Sequence, residues 1–166
     1  FLENDGSALR ARMRMLFENS GFLDNILLIQ SYVQGTEYRL VASQGKLLLA
    51  YEKQCEETLT AGDLNPLHQT TGRAVKVTQP QRLRRMEELT SNVSAVIDLG
   101  FYAVDLIEGV DGFSILELNP NPFCYFYNRD NGREDFVAIY EFLLDKYVAS
   151  RAGSASSYPP LSRRTG

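Results

Sequence analysis

Three oxygen-bearing side chains, Asp105, Glu117 and Asn119, fall within one stretch, FYAVDLIEGVDGFSILELN, running from Phe101 to Asn119. Gly109-Val110-Asp111-Gly112 is a turn signal between two apolar runs, so the strands are expected to fold back antiparallel. A fold-back centred near Asp111 pairs 105 with 117 and 103 with 119. Side chains alternate along a strand, so Asp105, Glu117 and Asn119 then share one face. Tyr102, Val104, Leu106, Leu116 and Leu118 take the other face, as core. Two carboxylates opposed in strands this apolar repel. An Arg or Lys, a shared proton or a bound cation would relieve them, and no basic residue lies between Phe101 and Asn119. All three groups offer hard oxygens, which suits magnesium, an ion that completes its octahedron with substrate phosphates. That set points to nucleotide chemistry. The competing reading is a half-solvated hairpin whose acids face water.

The elements that must position this hairpin follow from periodicity. Phe1-Leu2 reads as the end of a strand. Asn4-Asp5-Gly6-Ser7 gives a turn and cap for a helix to about Asn19, with Leu9, Met13, Leu16 and Phe17 on one side and Gly21 as its stop. Ile26 to Val33 reads as a buried strand, broken by Gln34-Gly35-Thr36. Glu37 to Ala42 and Lys46 to Glu52 are expected strands joined at Ser43-Gln44-Gly45. Lys53 to Thr78 is a long punctuated loop, of the kind that carries function, with a short strand at Arg73 to Val77. Thr78 with Gln81 makes a capping box for a helix bearing Leu83, Met86, Leu89, Val93 and Val96 or Ile97 on one face, closed by Gly100. After Asn119, PNPFCYFYNRDNG reads as loop. Glu134 to Val148 is a helix with Phe136, Ile139, Tyr140, Leu143 and Tyr147 in step. The predicted class is α+β: an antiparallel sheet with helices packed on one side. Residues 1–149 form the expected domain and 150–166 a flexible tail.

Composition removes several functions. A chain of 166 residues suffices for one domain with a real core. Its net charge of -4, with basic residues scattered, argues against a nucleic-acid binder. No apolar run approaches the roughly 18 residues of a membrane span. Cys55 and Cys124 are too few for a disulfide framework and lack metal-ligand spacing, so a reduced cytoplasmic setting is expected. The single histidine, His68, leaves little from which to build a zinc site or a Ser-His-Asp triad.

Two stretches carry a resemblance to a known family: ILLIQSYVQGTEYRLVASQGKLLLAYEK (Ile26 to Lys53) and GFYAVDLIEGVDGFSILELNPNP (Gly100 to Pro122). Together with the closing helix they resemble the C-terminal half of an ATP-grasp ligase, in the style of the ribosomal-protein glutamate ligases, glutathione synthetases and D-alanine–D-alanine ligases. The resemblance implies an ATP-grasp C-terminal subdomain that uses ATP and magnesium, with manganese as the alternative ion. It implies Asp105, Glu117 and Asn119 as metal ligands. Gln30, Ser31, Tyr32 and Val33 become the strand whose backbone meets adenine, and Glu37 the carboxylate on the ribose hydroxyls. Arg39 would lie near phosphates or substrate carboxylate, and Arg73, with Lys76, would reach phosphate. His68 falls in a segment where the resemblance is blurred by Pro66 and Thr70-Thr71-Gly72.

The implied activity is carboxylate–amine ligation through an acylphosphate, with small-molecule or peptide carboxylate and amine substrates. Two rivals share the scaffold: an inositol-phosphate-like small-molecule kinase and a non-catalytic nucleotide-binding or interaction domain. The chain departs from the pattern at Ala103, where many members carry an arginine, and at Pro120-Asn121-Pro122-Phe123, where a glycine-containing loop is usual. The family's glycine-rich loop and two lysines would lie upstream of Phe1, in N-terminal ATP-grasp domains. By itself the chain is therefore expected neither to bind ATP well nor to turn it over.

Overall fold

The computed structural model describes residues 5–18, 31–56 and 65–154, with side chains to residue 151. The expected strands at 1–2 and 26–30, the stop at Gly21 and the tail beyond 154 lie outside them. Helix α1 (Gly6–Glu18) starts where Asp5 Oδ1 accepts from the Ser7 and Ala8 amides at 2.7 and 2.8 Å, the cap expected from the sequence. Ser31 to Val33 lie outside any strand, and Tyr32 is exposed, so this end of the expected buried strand is neither strand nor buried.

Strands β1 (Thr36–Ser43), β2 (Lys46–Gln54), β3 (Arg73–Lys76), β4 (Phe101–Gly109) and β5 (Gly112–Asn119) form one sheet in the order β3-β2-β1-β4-β5, every neighbour antiparallel. The β1–β2 turn uses Gln44 and Gly45, both at positive φ (49° and 82°), the backbone a two-residue hairpin needs.

The turn of the β4–β5 hairpin is Val110-Asp111, with Gly109 opposite Gly112. A regular ladder from that turn would set Asp105 opposite Leu116 and send Glu117 to the far face. A β-bulge makes up the difference: the register shifts between Asp105 and Leu106, Leu116 is the extra residue, and Asp105 faces Glu117 while Ala103 faces Asn119. The expected pairing is present. Leu116 is displaced from the expected core set, 41% exposed on the bulge, while Tyr102, Val104 and Leu106 are fully buried.

The antiparallel α+β class holds, with one addition. Helix α2 (Pro80–Val96) covers one face, packing Leu83, Met86, Leu89 and Val93 against Tyr38, Leu40, Ala42, Tyr102 and Val104. A second helical layer covers the other, so the helices are not gathered on one side. There α3 (Tyr125–Asn131) and α4 (Glu134–Ser154) bring Tyr127, Phe136 and Ile139 onto Val41, Leu49 and Tyr51. The unbroken apolar run in β1 (Leu40, Val41, Ala42, all buried) is what a sheet covered on both faces requires.

Four local expectations fail for physical reasons. Pro80 occupies the first turn of α2 and Gln79 is its cap without a side-chain bond, so the Thr78–Gln81 box does not form. Helix α2 ends at Val96, short of Gly100, leaving Val96 and Ile97 exposed. Within the run read as loop, α3 forms because its polar side chains finish the edge of β3. Asp130 accepts from the Ala74 amide at 2.7 Å, Asn131 donates to the Ala74 carbonyl at 2.7 Å and Arg129 donates to the Gly72 carbonyl at 2.6 Å. Helix α4 continues to Ser154, past the expected start of the tail at 150.

The two layers meet at the β1–β2 turn. Thr90 of α2 donates to the Gly45 carbonyl at 2.9 Å, and buried Tyr102 donates to the Thr90 carbonyl at 3.1 Å. From the other side Lys146 of α4 donates to Gln44 Oε1 at 2.7 Å. Among the described residues no helix is long and apolar enough to cross a membrane.

Candidate functional site

Register lines the candidate residues up across the sheet. One row runs Lys76, Tyr51, Arg39, Asp105, Glu117; the next runs Ala74, Lys53, Glu37, Ile107, Ser114. Directly opposed residues point the same way, so these rows share the face covered by α3 and α4.

At their centre lies an alternating chain of four charges. Arg39 grips Asp105 with two donors, Nε to Oδ1 at 2.9 Å and Nη2 to Oδ2 at 2.6 Å. Lys53 Nζ reaches Asp105 Oδ1 at 2.8 Å and also pairs with Glu37. The side chains of Lys53 and Asp105 are only 5% and 3% exposed. Burial by itself would raise the Asp105 pKa; the Arg39 hydrogen bonds and the Lys53 charge outweigh it and hold the carboxyl below its usual range. The third Arg39 nitrogen, Nη1, donates to the Phe123 carbonyl at 3.0 Å and so ties the loop after β5 to the same guanidinium. Cys124 next to it is buried, and that burial pushes its thiol up to about 12, which leaves it inert as a nucleophile.

The acids expected to crowd each other are therefore relieved in part by cations that the hairpin itself lacks. They arrive from β1 and β2, on the side of Asp105 away from Glu117. Glu117 lies exposed on edge strand β5, its side chain without a hydrogen bond or ion pair among the described residues. Asn119 is half-buried, and its Oδ1 accepts from the Asn121 amide at 3.0 Å.

Among the described residues no three His, Cys, Asp or Glu side chains group as a metal cluster. The candidate set instead combines two carboxylates with an amide oxygen. With Asp105 already committed to Arg39 and Lys53, these donors fit a cation that takes most of its ligands from a bound substrate, not a cage built by the protein.

The other sequence-derived residues are distributed as follows. Glu37 and Arg39 join the charged rows. Ser31 to Val33 precede β1 in the chain, and Val33 and Gln34 pass beside Gly109 at the hairpin end. Gln30 lies outside the described residues. Arg73 is exposed on β3, two strands from Arg39 and out of step with Ala74, so it is not brought into the group. Lys76 is paired with Asp135 of α4 at 2.6 Å. His68 sits in a single 3-10 turn, its ring against Phe126 at 5.5 Å.

Lys53 is the residue that sequence reasoning missed. A tight turn at Gln44-Gly45 with a regular ladder would pair Glu37 with Glu52. A second bulge, at the shift between Val41 and Ala42, moves the register by one and brings Lys53 opposite Glu37 instead. The sequence offers no signal for that bulge.

No protein-family model matches the sequence, and no curated protein matches it. Solved structures do. D-alanine–D-alanine ligase from Bacillus anthracis complexed with ATP aligns with a TM-score of 0.58 at 18% identity, over 87% of this chain and 47% of that one. A second structure of that ligase gives 0.56 at 17% identity, over 89% and 48%. The ATP-grasp ligase PsnB, complexed with a phosphomimetic variant of its minimal precursor, Mg and ADP, is more distant, at 0.47 and 19% identity over 67% and 34%. The chain thus spans about half the length of the D-alanine ligase. At these identities the likeness is one of fold, the antiparallel α+β subdomain of ATP-grasp ligases.

Proposed function

We propose that this chain is part of an ATP-dependent carboxylate–amine ligase, in which the β4–β5 hairpin contributes the cation-binding oxygens. The observation that carries the reading is the bulge-corrected register that sets Asp105 opposite Glu117, one step from Asn119, on a fold shared with a ligase complexed with ATP. Magnesium held through Asp105, Glu117 and Asn119 would neutralise charge on the transferring phosphoryl group.

The chain's own residues do the rest by positioning. Ser31 to Val33 offer backbone groups to a purine edge, and Glu37, next along β1, takes the ribose hydroxyls. Arg39 and Lys53 keep Asp105 ionised at neutral pH and fix its carboxylate plane. The substrate carboxylate attacks the γ-phosphorus and ADP departs; the amine then adds to the acyl carbon, loses its proton and expels phosphate. No protein nucleophile is required, in keeping with a buried, inert Cys124. The substrates are small-molecule or peptide acids and amines, as in the ribosomal-protein glutamate ligases and glutathione synthetases.

A second reading is favoured by one observation: the charge on Asp105 is already satisfied by Arg39 and Lys53, as in a domain that binds nucleotide without turnover. The test uses the intact protein that carries this chain, with MgATP and a panel of amino acids and peptides. ADP release that needs both an acid and an amine supports ligation. Release with an alcohol alone makes it a kinase, and no release in any combination rejects the enzyme reading.

A further inference from the structure

We infer that Phe123 is a specificity-setting contact for an apolar or aromatic group on the ligand that binds beside Asp105 and Glu117. The inference rests on the proposed function for the place of the site. It goes beyond it in naming the residue and the ligand chemistry.

A single exposed apolar residue is ordinary. Phe123 differs in how it is held. Its side chain is 78% exposed, yet its neighbours Pro122 and Cys124 are both buried. Its carbonyl accepts from Arg39 Nη1 at 3.0 Å while Nη2 of the same guanidinium holds Asp105 at 2.6 Å, so the ring's backbone stands within one guanidinium of the candidate site. The other end of the loop is closed by the Asn119–Asn121 contact at 3.0 Å. Tyr125, two residues on, is exposed as well. A ring on a backbone already fixed binds an apolar group at little ordering cost.

Because the chain contains no tryptophan, Phe123→Trp in the intact protein places a reporter at this position, read as the emission difference from the parent. The expected result is solvent-exposed emission that shifts to the blue, saturably, with phenylalanine, leucine or their peptides, and not with glycine or aspartate. Phe123→Ala should lower the ratio of kcat/KM for aromatic over small substrates about tenfold, the range one apolar contact supplies. Emission unmoved by every ligand, moved equally by glycine, or already blue without ligand overturns the inference. A saturable shift with apolar ligands alone, in a protein that releases no ADP, supports the contact while rejecting the ligase.

Discussion

Lys53 shows how a single buried charge can hold a site together. It pairs with Glu37 and Asp105 at once, and its side chain is 5% exposed. Removing one partner from a buried network leaves the others uncompensated. Lys53→Met should therefore lower unfolding free energy by about 3–5 kcal/mol in urea titrations, and a loss under about 1 kcal/mol would mean water already screens the pair. Arg39→Lys keeps the charge but loses the fork. In the intact protein it should lower ADP release at least about tenfold, since the Asp105 plane and the Phe123 loop lose their common anchor.

Two bulges decide what the elements can present. Both apolar runs of the central hairpin were readable from the sequence, and so was the opposition of Asp105 and Glu117. The route to that opposition was hidden, since a bulge leaves no residue-type signature when a leucine occupies it. The structure separates two neighbours of the same type. Leu116 projects from the bulge, while Leu118 packs on the core beside Val104 and Tyr102. Leu116→Lys should change the unfolding free energy from urea titrations by no more than about 0.5 kcal/mol, and Leu118→Lys should cost on the order of 2–4 kcal/mol. Similar losses at both sites would show that the hairpin is regular.

In the loop before β3, a Cβ on Gly72 would collide with the Pro66 carbonyl and lie 2.9 Å from Leu67 Cα, both backbone. Gly72→Ala should cost about 1–3 kcal/mol and loosen the turn that Arg129 braces. The Arg129 brace, like the α3 contacts to Ala74, joins residues more than 50 apart, and local periodicity carries no trace of such contacts.

At the scale of the whole molecule, stability should be bounded by pH on both sides. Asp105, Asp130 and Asp135 have folded pKa values held below the unfolded carboxylate range, Asp130 chiefly by its Arg129 hydrogen bond and Asp135 by that of Lys76. Depressed acids contribute stability that is present above the unfolded value, about 3.9, and lost as pH falls through the folded ones. Cys124 works in the opposite direction. Raised from 9.0 to about 12, it contributes stability that is complete below 9 and declines as pH climbs toward 12. Urea midpoints should thus be flat near neutrality, fall below about pH 4, and fall again above about pH 9. Cys124→Ala should flatten part of the alkaline limb, and an unchanged limb would assign it to the buried tyrosines.

The Gln44-Gly45 corner, touched by Thr90 from one side of the sheet and Lys146 from the other, leaves little opportunity for either helix to detach by itself. Slow amide protons in α2 and α4 should exchange deuterium through one shared opening, with matching dependence on denaturant. A molecule wired in this way relays any disturbance at that corner to both of its covers at once.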